Sequence, residues 1–125
     1  MGCSVHTVCV DFDAVIAKYD IWRGKGVFGE PVDGAIAGLQ RLKNSGWKII
    51  VFTTRSETDQ VKEYLVSKGI PFDAINFNEE NIDQGCSLCK PLADVYLDDR
   101  AVVFEGDWGI AVDRVQSFVP WFRKL

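Results

Sequence analysis

No stretch of this sequence comes near the roughly 18 consecutive apolar residues that a membrane-crossing helix requires, so none is expected. Basic residues are in short supply as well. Fourteen Lys and Arg stand against eighteen Asp and Glu, for a net charge of −4. A binder that grips nucleic acid through a broad basic surface is therefore not expected. Residues 1–10 lack a basic segment followed by an apolar one, so no secretory signal is expected and the protein is assigned to the cytoplasm. The opening Met1-Gly2 lacks a myristoylation motif, because His6 stands where Ser or Thr is needed. Repeats, low-complexity tracts and linkers are also missing.

Cysteine is sparse: Cys3, Cys9, Cys86 and Cys89. Without a secretory signal, reduced thiols are the expectation. Cys86 and Cys89 form a lone C-x-x-C, two ligands short of a structural zinc site. Cys3, His6 and Cys9 are the local candidates to complete one. Cys9, however, sits in an apolar strand-like run, where a buried thiol is the simpler reading.

What is present suits one soluble globular domain spanning residues 1–125, with 47% apolar and 26% charged residues. Four Trp and eight Phe supply bulk for one core. Val-rich residues 5–12 read as a buried strand. A loop follows from Asp20 to Glu30, then a helix beginning at Pro31, Val32 and Asp33 and closed by Gly46. Trp47–Thr53 reads as the second strand, and Glu57–Lys68 as an amphipathic helix ending at Gly69. Ala74–Phe77 is a short third strand, and Asn78–Lys90 a polar loop with one helical turn. Ala93–Leu97 is the fourth strand. Ala101–Phe104 and Ile110–Val112 read as a fifth strand and an extra edge piece. Residues 113–125 read as a terminal helix that Pro120 could split. This alternation implies an α/β fold: a mainly parallel central sheet with helices on both faces.

In such folds ligands bind beyond the carboxyl ends of the strands. Asp11 and Asp13 follow the first strand, Thr53 the second, and Asp98 and Asp99 the fourth. Four carboxylates on one rim repel one another unless a cation neutralises them. Magnesium suits such oxygen ligands and leaves room in its shell for a substrate phosphate. Each feature alone has an ordinary alternative: a turn or cap for Asp11-Phe12-Asp13, a surface lysine for Lys90, a surface ion pair for Asp99-Arg100.

Together the residues resemble the haloacid dehalogenase superfamily. Asp11-Phe12-Asp13 is similar to its D-x-D motif, Thr53 to its second motif, Lys90 before Pro91 to its third, and Asp98-Asp99 to its fourth. The order is right, and the span 11–99 covers most of the chain. The resemblance implies a Rossmann-like three-layer fold and a Mg2+-dependent phosphomonoester hydrolase. Asp11 would be the nucleophile of an aspartyl-phosphate intermediate and Asp13 the general acid and base. Crowding by other carboxylates would raise the pKa of Asp13 to suit that task. Thr53 and Lys90 would hold the phosphoryl oxygens. Asp11, Asp13 (through its backbone carbonyl), Asp98 and Asp99 would hold the metal. Where the family often has Thr or Val with Gly nearby, this chain has Ala14-Val15-Ile16, which bears on loop geometry.

Thirty-nine residues separate Asp13 from Thr53, and thirty-six separate Thr53 from Lys90. Neither gap holds a cap domain, so the chain resembles the capless members. An open site implies a large phosphorylated substrate, a macromolecule included, or a homo-oligomer whose neighbouring subunit covers the mouth. A phosphorylated small molecule remains open too. The loop Asp20–Glu30, with Trp22, Arg23 and Lys25, is the candidate local lid. Arg23, Lys25, Thr54, Arg55 and Arg100 are the candidate substrate contacts. Two other readings stand beside the phosphatase. A response-regulator receiver would place its acidic pair after the first strand, whereas here the pair comes late. A catalytically weak phospho-ligand-binding protein would keep the site without turnover.

Overall fold

Val8, Cys9 and Val10 are buried in succession, and so are Ile49, Ile50 and Val51. Successive strand residues point to opposite faces, so both faces of these two strands are covered. The computed structural model describes residues 6–86 and 89–123. It forms these runs into β1 (Thr7–Asp11) and β2 (Lys48–Phe52), flanked by β3 (Ala74–Ile75) and β4 (Val95–Leu97). All pairings are parallel, in the order β3-β2-β1-β4. Helices α1 (Ala35–Asn44), α2 (Thr58–Ser67), α3 (Glu80–Asp83) and α4 (Trp108–Gln116) flank the sheet. The architecture is Rossmann-like α/β. No helix among the described residues is long and apolar enough to cross a membrane.

The core gathers Val10, Phe12, Ile16, Leu39, Val51, Val61 and Leu65. Val61 and Leu65, one helical turn apart, are the buried face of α2. Phe12 is fully buried and meets Phe28 and Tyr64 edge to face, both at 5.3 Å between centroids. This anchors the loop after β1 and the Asp20–Glu30 loop to the same aromatic cluster.

Several elements differ from the sequence expectation. Helix α1 starts at Ala35 rather than near Pro31, because Pro31 bridges Ala17 and the Val32 N–H donates to the Ile16 carbonyl at 2.8 Å. Ala101–Phe104 pairs with no strand among the described residues. Ile110–Val112, read as an edge piece, lies inside α4. Asp107 begins that helix by accepting a hydrogen bond from the Ile110 N–H at 3.1 Å, and Gly106, at φ +94°, breaks the extended run before it. The terminal helix starts earlier than expected and is split, as Pro120 allowed: α4 ends at Gln116, and after Pro120 the chain makes a 3-10 turn, Trp121–Arg123. Lys124 and Leu125 lie outside the described residues, as does Cys3.

The thiols are corrected as well. Cys86 and Cys89 are joined in a disulfide, their Cα atoms 5.8 Å apart and thus within bonding reach. Neither is therefore the reduced ligand a zinc site needs. Cys9 is the buried free thiol expected, and burial pushes its pKa up to about 11.

The polar stretch before β4 is held by two buried asparagines. Asn78 donates to the Leu92 carbonyl at 2.8 Å and accepts from Lys48 Nζ and the Glu80 N–H. Asn81 donates to the Lys90 carbonyl and accepts from the Leu92 N–H, both at 2.9 Å. Removing the Asn78 amide leaves buried partners unsatisfied. Asn78→Ala should therefore lower the unfolding free energy by about 1–3 kcal/mol in urea titrations, and Glu79→Ala beside it by less than about 0.5 kcal/mol.

Candidate active site

β1 ends at Asp11 and Asp13 follows two residues on, so both stand at the carboxyl end of the sheet, while Phe12 between them is buried in the core. Thr53 follows β2, and Asp98 and Asp99 follow β4. These residues line one open pocket of about 620 Å3 with Tyr19, Trp22, Lys25, Thr54, Arg55, Glu57 and Arg100. Of the residues singled out from sequence, Asp11, Asp13, Thr53, Asp98, Asp99, Lys25, Thr54, Arg55 and Arg100 thus meet in one place.

Lys90 and Arg23 do not line it. Lys90 is exposed, with Nζ 4.2 Å from the centroid of the Tyr96 ring. Tyr96 pairs in register with Cys9, one step back from the rim, so Lys90 lies on the strand face that carries Asp11 and Asp98. Arg23 is held by Asp20, with Nη2 2.9 Å from Oδ2.

Asp11, Asp98 and Asp99 each place a carboxylate oxygen within 4.8 Å of the others. Burial pushes the Asp11 carboxyl up to about 8, aided by its hydrogen bond with Asp99 and the nearby charge of Asp98, while the Phe12 N–H pulls the other way. The Asp99 side chain is almost wholly buried, and Arg100 Nε lies 3.5 Å from its Oδ2. The Asp98 carboxylate accepts from the Arg100 N–H at 2.8 Å, which shapes the turn.

Asp13 stands apart from that trio. The carboxylate crowding expected around it is replaced by Arg55, whose Nε and Nη2 donate to its two oxygens at 2.7 and 2.9 Å. Arg55 also donates to Glu57 Oε2 and to the carbonyls of Gly24 and Val27, and lies between the rings of Trp22 and Phe28. Burial works against its charge, but the hydrogen bonds to Asp13 and Glu57 outweigh that and raise its pKa. Glu57 Oε2 accepts from the Gly26 N–H as well, while Oε1 is buried with no partner among the described residues. The Asp20–Glu30 loop is therefore fastened down from below.

Two positioning residues escaped the sequence reading. Asn76, at φ +55°, accepts from the Thr53 N–H at 2.7 Å and donates to the Thr53 carbonyl at 3.0 Å. Its signal was an Asn directly after a short strand, a residue type that tolerates the left-handed region. Trp121 Nε1 donates to the Ala14 carbonyl at 2.8 Å. Ala14 itself sits at φ +66°, where the departure from the family pattern pointed to unusual loop geometry.

No protein-family model matches this chain, and no curated protein matches it. Among solved structures, a conserved protein from Bacteroides thetaiotaomicron is similar, with 29% sequence identity and a TM-score of 0.66. The match covers 90% of this chain and 91% of that one. The two chains share the fold over nearly their whole lengths.

Two outcomes follow from the charges. The folded chain holds a proton on Asp11 that the unfolded chain releases near its ordinary value of 3.8. The associated stability is full below that value and lost as the pH rises through about 8. Urea midpoints measured with a chelator should fall between about pH 5 and about pH 8.5, and Asp11→Asn should flatten the slope. An unchanged slope in that variant would assign the effect elsewhere. Arg55→Ala strands Asp13 and Glu57 beside each other and should cost about 3–5 kcal/mol. Arg55→Lys should recover little, because an ammonium cannot make the bidentate pair. Faster proteolytic cleavage within residues 20–30 would report the loosened loop.

Proposed function

We propose that this protein is a capless, magnesium-dependent phosphomonoester hydrolase of the haloacid dehalogenase type. The observation that carries this reading is the convergence of Asp11, Thr53, Asp98 and Asp99 from the ends of three adjacent parallel strands onto one open pocket. The ordered motifs in the sequence support it independently.

Asp11, Asp98 and Asp99 suit a hard divalent cation: three close carboxylates, one of which resists ionising when none is bound. Bound there, Mg2+ would supply charge neutralisation for the carboxylates and a phosphate together. Asp11 attacks phosphorus as a carboxylate, forming the aspartyl-phosphate as the bond to the leaving oxygen breaks. Thr53 and the loop after it hold the phosphoryl oxygens. Lys90 reaches them by leaving the Tyr96 ring.

Asp13 delivers the proton to the leaving oxygen and later takes one from water. Both its oxygens are engaged by Arg55, so one of them must leave that pair before either transfer. A binding role without turnover is the second reading, favoured by that engagement and by the position of Lys90 outside the pocket.

A phosphomonoester panel with Mg2+ separates the two. Turnover should be seen, fall to background with chelator, and drop by about three orders of magnitude or more in Asp11→Asn, since an amide is no nucleophile. Tight phosphate binding with no release from any member of the panel would favour the binding role. Full activity in Asp11→Asn would overturn the mechanism.

A further inference from the structure

The carboxyl-terminal third of the chain is packed unlike the rest. Along β4, Val95, Tyr96 and Leu97 are 48%, 40% and 48% exposed, although they alternate between the two faces of a parallel sheet. The outer edge of β4 is the end of the sheet, and its three side chains include no charge and no proline to blunt it. Three residues later comes Ala101–Phe104, a strand-forming sequence that pairs with no strand among the described residues. Val103 in that run and Trp108 at the start of α4 are each 74% exposed. A groove of about 940 Å3 runs between residues 101–105 and the end of α4 with the chain after it; Val102, Val103, Phe118 and Val119 line it, with Glu105, Arg114 and Arg123 beside them.

The extent of this surface is that of an interface. Twelve large apolar residues from Val95 to Trp121 are more than a third exposed. Together they present on the order of 1,000 Å2, distributed over both faces of β4, the 101–104 segment and α4, against about 800 Å2 per partner in a standard interface.

The surface also holds both halves of a strand pairing: an open edge and a segment suited to fill it. Within the chain the two halves do not meet: 101–104 follows β4 by three residues yet pairs with no strand among the described residues. We infer that the occupant is a second copy of this chain, docked across a two-fold axis. Each copy sets its 101–104 segment and the apolar face of α4 against β4 of the other. A patch that carries complementary halves of one contact closes as an isologous dimer. Its dominantly apolar character matches a permanent homodimer better than a transient partner. The inference does not depend on the chemistry assigned to Asp11.

Sedimentation of the full chain from about 1 µM to about 100 µM tests this. The expected species has twice the 14.0 kDa chain mass. Val103→Glu and Trp108→Glu, singly, should shift it to monomer while circular dichroism stays unchanged, because both side chains are exposed. Val66→Glu, exposed on α2 away from this face, should leave the dimer intact. A wild-type monomer at every concentration would overturn the inference. So would a dimer indifferent to both substitutions, or a ladder of larger species, which signals an open head-to-tail contact.

Discussion

A guanidinium withdrawn from water keeps its charge only where every N–H finds an acceptor and anions lie close. Arg55 meets both conditions, and much of the site depends on it. Its five donors go to two carboxylates and two backbone carbonyls, drawn from the β1 loop, the segment after β2 and the Asp20–Glu30 loop. Trp22 and Phe28 close over its faces, and Phe28 in turn packs on Phe12 between the two leading aspartates. One side chain thus joins the loop, the sheet and the acidic motif. The anchor is electrostatic and aromatic at once, so a smaller or non-planar cation cannot replace it.

The residues of the rim were legible in the sequence because their placement follows from periodicity. A buried apolar run must stop where charged residues begin, so Asp11 and Asp13 mark the end of the first strand. Parallel strands must end on the same side, so Asp11, Thr53 and Asp98 were bound to meet if the strands were parallel. The second strand, α2 and the polar connection with one helical turn were readable for the same reason. What pattern fixes, pattern reveals.

Partnerships across space were not legible. Arg55 looked like a substrate contact because it follows Thr53, but nothing local indicates that Asp13 and Glu57 bracket it. Lys90 was placed by motif, and its tilt onto Tyr96 depends on tertiary geometry. Ile110–Val112 are short and β-branched in part, so they resembled a strand, and the Asp107 cap overrode that preference. The Cys86–Cys89 bridge was discounted on grounds of compartment, while local geometry alone permits it.

The two ends of the site differ in how they are held. Asp11 leaves β1, the central strand, whose pairing continues through five residues on one side and three on the other. Asp98 and Asp99 leave β4, an edge strand joined to β1 through those three and through Asp94, with its side chains half-exposed. Two of the three clustered carboxylates therefore rest on an edge strand. Once Asp11 gives up its proton, mutual repulsion would push Asp98 and Asp99 away from it. In the proposed dimer, the second copy's 101–104 segment would pair along the edge of β4 and bury its side chains. Cover for β4 and cation binding would then act on the same few residues from opposite ends: one stiffens the strand, and the other removes the repulsion at its tip.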